Sequence, residues 1–559
     1  MGCDYALVHL KYTIPPAAAL TYLYRPLSSE LCIYKVIFLI IVAVVSTTPW
    51  DSYLIRTNIW SYPPEAVLGP KIFDIPLEEV FFFVIQTYNT SLLYLLLSKP
   101  TFHPIYLRSQ SLLHDGRRLR QWRWTGFLAI LLVILAGLRL VLDGGKGLYM
   151  VLLPTVYLWI VDTLALKRGT WVIESGTKLG WHLWDGLEIE EAVFFLLTNV
   201  LIVFGLVAFD NAFAVLQTFP DLFPSLPPLP SPVLLVQALL VPKKEYNEAR
   251  IEGLRHALGR LRAKSRSFYL ASGVFQGRLR IDLILLYSFC RVADDLVDEA
   301  ASVNEAAYWI DKLRTFLQLS YASGPWGVSE ESRDVPGYVR ATFPAPVQAA
   351  LSMLPTRYLS PVPLYDLLAG FETDLNFAST TNPFPMTDEA TLKLYGARVA
   401  GTVAESCLEL VYHHTPVSPQ YEQQISVIRA GSRMGIALQY VNISRDIAVD
   451  AGNGRVYLPT TWLKDVDVTP SDVLKDPTSP RVEQVRQRLL DSAMTIYDEA
   501  KKAIEELPQE ARAPMRVAVE SYVEIGRVLR RPVYRVKAGR ATVPKLRRLA
   551  VAWNALQDG

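Results

Sequence analysis

The chain has 559 residues, with 56 Lys and Arg against 54 Asp and Glu; its length suggests about two to four domains, and its balanced charge excludes a nucleic-acid partner held by bulk basic charge. The hydrophobic share is 51%, but the long apolar runs are confined to roughly the first 240 residues, so a membrane part precedes a soluble part. Four cysteines, Cys3, Cys32, Cys290 and Cys407, form no CxxC pair, which argues against a disulfide framework or a zinc site and for reduced, intracellular chemistry.

The N-terminus has neither the basic start, short apolar core and cleavage site of a secretory signal nor the Arg/Ser-rich character of a transit peptide, so the first apolar stretch is expected to be retained. Seven such stretches lie at about residues 5–23, 33–49, 77–97, 125–142, 148–166, 190–209 and 230–242. The last is short for a span. Pro15 and Pro16 in the first are tolerable where neighbouring helices satisfy the carbonyls they free. With alternate loops facing the cytosol, those at 24–35, 98–124 and 167–187 hold Arg25, Lys35, Lys99, Arg108, Arg117, Arg118, Arg120, Arg123, Lys167, Arg168 and Lys178, against Arg56, Lys71 and Lys146 opposite. The positive-inside bias then places the soluble part in the cytosol.

This region repeats itself. Asp51, Trp60 and Asp74 recur as Asp162, Trp171 and Asp185, each 111 residues further on (162 − 51, 171 − 60, 185 − 74). PLEEVFFFVIQT (76–87) recurs as EIEEAVFFLLTN (188–199), matching Glu78 and Glu79 to Glu190 and Glu191. Three helices per copy is an odd number, so the copies are expected to be inverted in the membrane, with the glutamate pairs at opposite faces. A carboxylate pair opening an apolar helix is costly in lipid and marks function when it faces the bundle interior; the plainer alternative is an interfacial residue favoured by the helix dipole.

On these motifs, about residues 1–240 resemble the membrane-integral lycopene cyclases, whose units carry a Glu-Glu pair followed by aromatic residues and are fused in fungi. The resemblance implies conversion of a linear ψ end group to a β-ionone ring. That isomerisation begins by protonating an alkene and ends by losing a proton, so it needs an acid, a base and shelter from water. Glu78, Glu79, Glu190 and Glu191 are the first candidates, with Asp51, Asp74, Asp162 and Asp185 in support. No GxGxxG stretch is present, which disfavours the flavoprotein type of cyclase, and no cyclase cofactor is expected.

TFPDLFPSLPPLPSP (218–232) reads as an extended linker. From about 245 to 559 the pattern is of amphipathic helices, an all-α domain, interrupted by a surface loop near 320–345. Two acidic segments stand out, CRVADDLVDE (290–299) and QYVNISRDIAVD (439–450). Arg291, Asp294 and Asp298 share one helical face with Asp295 at its flank, and Gln439, Asn442, Asp446 and Asp450 form a second stripe. Facing stripes of this kind suit Mg²⁺ held against a diphosphate. The pair His413-His414 lacks HExxH context and reads as a surface or helix-end pair, and His182, between Trp181 and Trp184, reads as interfacial.

With SRSFYLAS (265–272), YGARVAGTVAE (395–405) and GRVYLP (454–459), these stripes resemble phytoene synthase, of the head-to-head prenyl synthase family. Carried over by position, Asp294, Asp295, Asp298, Asp446 and Asp450 would bind Mg²⁺ or Mn²⁺. Ser265, Arg266, Ser267, Arg291 and Arg455 would hold diphosphates, and Gln439 and Asn442 would line the cavity. Relatives read YCxxVAG or YCYGVAG at the third motif, so an aromatic group is missing at Ala397, and Tyr395 or Tyr457 would compensate.

Together the halves resemble the fungal-type bifunctional lycopene cyclase/phytoene synthases, with a polytopic helix bundle of two inverted three-helix repeats (about 5–110 and 116–215, within 1–242) followed by a soluble all-α isoprenoid synthase domain (243–559). The implied substrates are geranylgeranyl diphosphate and lycopene, with a separate desaturase between the two activities. The alternative is a squalene or dehydrosqualene-type synthase carrying a membrane anchor or lipid-transport domain.

Overall fold

The structure, a computed structural model, describes residues 2–107, 147–174, 176–321, 334–379, 383–415, 420–531, 534 and 543–557. It divides into two units, Met1–Asn247 and Glu248–Gly559.

The first unit opens on α1 (Asp4–Val8), a π turn (His9–Thr13) and α2 (Ile14–Tyr24). Pro16 has no N–H for the carbonyl of Tyr12, four residues back. Tyr157 Oη donates to that oxygen at 2.6 Å, and Asn89 Nδ2 donates to Thr13 O at 3.1 Å. A neighbouring helix thus satisfies the carbonyl that Pro16 leaves.

Next come α3 (Glu30–Arg56), β1 (Trp60–Ser61), the short hairpin of β2 (Lys71–Ile72) and β3 (Ile75–Pro76), and α4 (Leu77–Ser98). The apolar stretch at 125–142 lies outside the described residues. After it stand α5 (Gly147–Leu166), β4 (Val172–Ile173), the pair β5 (His182–Trp184) and β6 (Leu187–Glu188), and α6 (Ile189–Thr218). α3, α4, residues Tyr149–Leu166 of α5, and α6 are each long and apolar enough to cross a membrane. The stretch at 230–242 is not: α7 (Pro232–Leu240) has nine residues and rises only about 13 Å.

The described helices correct the expected inversion. β1 pairs antiparallel with β4, Trp60 opposite Ile173 and Ser61 opposite Val172, and Glu174 N donates to Ile59 O at 3.1 Å. The loops after α3 and α5 therefore share one end of the unit. From that end α4 and α6 run parallel: the Phe82 and Phe195 rings meet at 5.9 Å, Thr90 Oγ1 donates to Asn199 Oδ1 at 2.8 Å, and Tyr94 Oη donates to Asp210 Oδ2 at 2.6 Å. Over these helices the copies repeat in the same sense, and the glutamate pairs open at one end rather than at opposite faces. The inversion followed from counting three crossings per copy, and the segment that decides the count, 108–146, is outside the described residues. The same pairing brings Lys167, Arg168 and Lys178 to the end that holds Arg56 and Lys71, which removes the charge bias among the described loops.

At the other end, Asp210 draws three elements together. Lys35 of α3 pairs with it, Tyr94 of α4 donates to it, and the Lys35 ammonium lies 5.2 Å from the Phe209 ring centroid. Lys35 and Asp210 are both largely buried, so each depends on the other for the solvation that water no longer supplies.

The second unit has no strand among its described residues. It runs through α8 (Glu248–Lys264), α9 (Arg266–Ser272), α10 (Gly277–Asp298), α11 (Val303–Tyr321), α12 (Val335–Thr342), α13 (Ala345–Ser352), α14 (Pro361–Leu375) and α15 (Glu389–Gly396). A π turn (Ala397–Gly401) joins α15 to α16 (Thr402–His414), and α17 (Tyr421–Gly452), α18 (Thr460–Lys464), α19 (Pro470–Lys475), α20 (Pro480–Ala500), α21 (Gln509–Leu529) and α22 (Lys545–Gln557) follow. The loop expected at 320–345 is shorter than that, because Asp334 accepts from Gly337 N at 2.6 Å and starts α12.

Two apolar clusters fix the frame. Ile436, Tyr440 and Ile447 of α17 pack with Leu489 and Ala493 of α20 and with Val523 of α21. Phe289 and Ala293 of α10 pack with Leu313 of α11 and Leu367 and Phe371 of α14. Between them α17 crosses the π turn backbone to backbone: a Cβ at Gly435 would stand 2.5 Å from Ala400 O, so only glycine permits the approach.

Lys35→Met is expected to destabilise the first unit by about 3–5 kcal/mol, because it leaves Asp210 buried without its permanent cation, with only the His103 ring 3.4 Å away. Heating the full chain in detergent and following labelling of Cys32 measures this. The double variant Lys35→Met/Asp210→Asn should recover most of the loss, and equal losses in single and double would dismiss the ion pair as the tie.

Candidate active sites

In the second unit both acidic stripes reach one cavity. Asp294 and Asp298 of α10 and Asp446 and Asp450 of α17 line a space of about 570 Å³ together with Ser265, Arg266, Ser267, Arg291, Tyr395, Gln439, Asn442, Arg455 and Tyr457. Asp295 is the exception. One residue round the helix from Asp294, it is not among the lining residues and pairs instead with Arg291 and, at 3.3 Å, with Lys264.

The carboxylates are held by guanidinium groups. Arg291 reaches Asp294 at 2.8 Å, Arg455 reaches Asp298 at 2.9 Å, and Arg445 forks onto Asp446 at 2.8 and 2.6 Å. Burial, reinforced by the Asp298 charge and opposed by Arg291, pushes the Asp294 carboxyl up to about 6. Among the described residues no three acidic, His or Cys side chains stand close enough to form a ready metal cage. The donor set still fits a divalent cation of the oxygen-seeking kind, which is held by one or two carboxylates per side and completed by diphosphate oxygens and water.

A second cavity of about 340 Å³ is almost wholly apolar and shares Phe268, Tyr287, Val399, Val403, Gln439, Asn442 and Tyr522 with the first. The charged mouth therefore continues into an oily pocket bounded by the π turn and α16 on one side and α21 on the other.

Sequence reasoning missed several lining residues: Lys264, Tyr287, Asp374, Tyr522 and Arg548. Asp374, at the end of α14, accepts from Tyr395 Oη at 3.1 Å and from Tyr457 Oη at 2.8 Å, and the two rings stack at 5.2 Å. Burial pushes the Asp374 carboxyl up to about 7 against the opposing pull of Arg455 and Tyr457. Its signal was weak, a single aspartate in GFETDLNF with no recurring spacing. Arg548 comes from the basic run KLRRLA, which reads as an ordinary solvated helix face. His413 and His414 do end α16, where His413 stacks on Tyr358 at 3.8 Å and His414 Nε2 lies 2.7 Å from Asp282 Oδ2.

In the first unit the glutamate pairs split. Glu78 Oε1 accepts from Leu68 N at 2.6 Å and Glu190 Oε1 accepts from Leu179 N at 2.6 Å, equivalent bonds in the two copies that pin each loop to its helix. Asp74 and Asp185 are also equivalent and lie away from the interior, paired with Arg56 and Lys167 at 2.7 Å each. The remaining four carboxyls, Asp51, Glu79, Asp162 and Glu191, are all buried, and the other three are near enough to feel the charge of Glu79.

Around them stand aromatic groups, of which the sequence singled out Trp171 through the repeat but not Tyr5 or Tyr62. Tyr5 and Tyr62 both donate to Glu79 Oε2, Tyr62 at 2.8 Å, and Tyr5 stacks on His9, whose Nε2 lies 3.0 Å from Glu78 O. Trp171 Nε1 donates to Asp162 Oδ1 at 3.1 Å. Phe82, packed in the same apolar cluster as Tyr5, also lines a cavity of about 230 Å³ between α2, α4 and α5.

Residues 261–547 match the family of squalene/phytoene synthases, which sets the class of the second unit as a prenyltransferase. Over its whole length the chain is 56% identical to a bifunctional lycopene cyclase/phytoene synthase of Leptosphaeria maculans and 54% identical to one of Pyrenophora tritici-repentis, with 100% of each chain covered. The chain belongs to the bifunctional lycopene cyclase/phytoene synthases, enzymes of carotenoid biosynthesis. Among solved structures, a dehydrosqualene synthase in complex with ligand shares 21% identity, covering 56% of this chain and 97% of that chain at a TM-score of 0.44.

An aspartate whose folded-state value is raised stabilises the fold at low pH and loses that contribution as pH climbs from its unfolded to its folded value. For Asp374 the window runs from about 4 to about 7. The melting temperature of the wild type, relative to Asp374→Asn, is expected to fall across it. A difference that stays flat with pH would show that the carboxyl ionises freely.

Proposed function

We propose that the second unit condenses two geranylgeranyl diphosphates head to head, and that the first unit, about residues 1–242, closes lycopene end groups to β-rings, giving γ-carotene and β-carotene. The observation that carries the first assignment is the continuity of the charged cavity with the apolar one. A prenyl diphosphate has the same two parts, and a C20 chain needs a dry pocket for its length.

Asp294, Asp298, Asp446 and Asp450 would hold Mg²⁺, which supplies charge neutralisation to a departing diphosphate. Arg266, Arg291, Arg445, Arg455 and Arg548 supply further positive charge around the same cavity, and Ser265 and Ser267 lie on its wall. Once the first diphosphate leaves, the allylic cation is captured by the alkene of the second substrate to give a cyclopropyl diphosphate. A second ionisation, rearrangement and proton loss complete phytoene. The apolar wall keeps water from these cations, while the Tyr395 and Tyr457 rings offer π density in place of the group missing at Ala397. Lysine would make a poorer match than arginine for a forked contact with phosphate oxygens.

Phytoene is not the substrate of the first unit. Several desaturations separate it from lycopene, so a separate desaturase acts between the two activities. The candidate membrane helices suit substrates that dissolve in a bilayer. In the first unit the acid and base expected of the glutamate pairs are to be sought within the buried set of Asp51, Glu79, Asp162 and Glu191, with Glu78 and Glu190 serving the loops.

Purified full chain given C15 or C20 diphosphates, with and without NADPH, tests the synthase reading. Phytoene from the C20 substrate without NADPH is the expected outcome, and NADPH-dependent squalene would overturn it. Asp298→Asn and Asp450→Asn should each lower phytoene formation by at least about 100-fold while ring formation from supplied lycopene continues.

A further inference from the structure

The two copies of the membrane repeat match in sequence but not in the company their carboxyls keep. In the second copy Trp171 turns its indole N–H onto Asp162. Its counterpart Trp60 packs edge-on against Phe194 instead, with centroids 5.6 Å apart at 87°, and neither oxygen of Asp51 has a hydrogen-bond partner. For the glutamates the imbalance is reversed. Glu79 receives two tyrosine hydroxyls, whereas the residue equivalent to Tyr62 in the second copy is Ile173, which has no hydroxyl to offer Glu191.

Four buried carboxyls this close cannot all be ionised. A carboxylate is an acceptor only and persists where donors surround it, while a protonated carboxyl can donate its own proton. Asp51 is 1% exposed, so it is shut off from bulk water. A buried polar group left without partners calls for an explanation, and a proton donor aimed at a substrate that forms no hydrogen bond supplies one. An alkene offers only π electrons, so a group that protonates it has nothing to hold it in the free enzyme.

We infer that Asp51 is the acid that protonates the lycopene end group, and that Glu79, held as the anion by Tyr5 and Tyr62, is the base that ends the reaction. This deepens the cyclase reading of the first unit and rests on it. Asp51 gives its proton to the terminal alkene, leaving a tertiary cation. The neighbouring alkene attacks that carbon, forming the ring bond and moving the cation to the methyl-bearing ring carbon. Glu79 removes the proton from the ring carbon that made the new bond, and those electrons close the ring double bond. Glu79 is then protonated and Asp51 ionised, and one proton passed back restores both. Nothing is oxidised or reduced.

Full-length wild type, Asp51→Asn, Asp51→Glu, Glu79→Gln and Asp162→Asn, reconstituted in liposomes in D₂O with lycopene, separate these roles. Phytoene synthesis by the same preparations checks that each chain is folded. Wild type should place one deuterium in each new ring. Asp51→Asn should form rings at least about 100-fold more slowly and leave recovered lycopene free of deuterium, with Asp51→Glu regaining part of the rate. Glu79→Gln should still take up deuterium, found in recovered lycopene or in rings whose double bond lies elsewhere, while β-rings fall to a similar extent. Asp162→Asn should cost about tenfold or less.

Ring formation by Asp51→Asn within about tenfold of wild type would overturn the inference and leave the cyclase reading intact. So would deuterium uptake by Asp51→Asn, or its absence from Glu79→Gln. Wild type that forms no ring at all would overturn both.

Discussion

A carboxyl group taken out of water must find a donor, a cation or a proton, and both units are organised around that requirement. In the second unit the compensation is cationic. Arg291, Arg445 and Arg455 each hold an aspartate of the cavity, and these pairs offset the repulsion between the acidic stripes that share it. The same guanidinium groups would suit phosphate oxygens, so the ion pairs would be a resting arrangement of the groups proposed to bind substrate.

Among its described residues, the first unit meets the same requirement without a cation paired to its four central carboxyls. Backbone N–H groups reach one oxygen each of Glu78 and Glu190, tyrosine hydroxyls reach Glu79, and an indole reaches one oxygen of Asp162. Among the described residues, lysine and arginine pair with Asp74, Asp185 and Glu188 and, at the far end, Lys35 meets Asp210, while none pairs with Asp51, Glu79, Asp162 or Glu191. A cation-forming reaction explains the exclusion. A fixed positive charge beside a developing carbocation would oppose it, whereas neutral donors leave the net negative charge of the site available to stabilise it.

Spacing made much of this legible. The offset of 111 residues exposed the repeat, and the helical intervals within CRVADDLVDE and QYVNISRDIAVD placed Asp294, Asp298, Asp446 and Asp450 on faces that do meet in one cavity. Periodicity reports which residues share a face, but not what lies across from them. Glu78 and Glu79 are adjacent in sequence, yet one pins a loop and the other meets two tyrosines from elements 17 and 74 residues away. Asp374 belongs to no stripe and was invisible for the same reason. The sense of the repeat was misread because it was inferred from a parity of crossings, while the contact that reveals it is the two-residue pairing of β1 with β4.

That small pairing has a large consequence for the chemistry. Two copies opening at opposite faces would hold two separate carboxyl pairs, each repeating the other and each near an interface. With both opening at one end, the copies share a single interior in which equivalent residues become neighbours, and neighbours that repel one another need not stay equivalent. Once one carboxyl is secured as an anion, the charge it sets up raises the cost of ionising the next. Small differences then suffice to divide the work: a tyrosine at 62 where the other copy has isoleucine at 173, and an indole turned toward Phe194 rather than toward Asp51. Duplication provides the carboxyls, and the loss of symmetry between their partners separates an acid from a base.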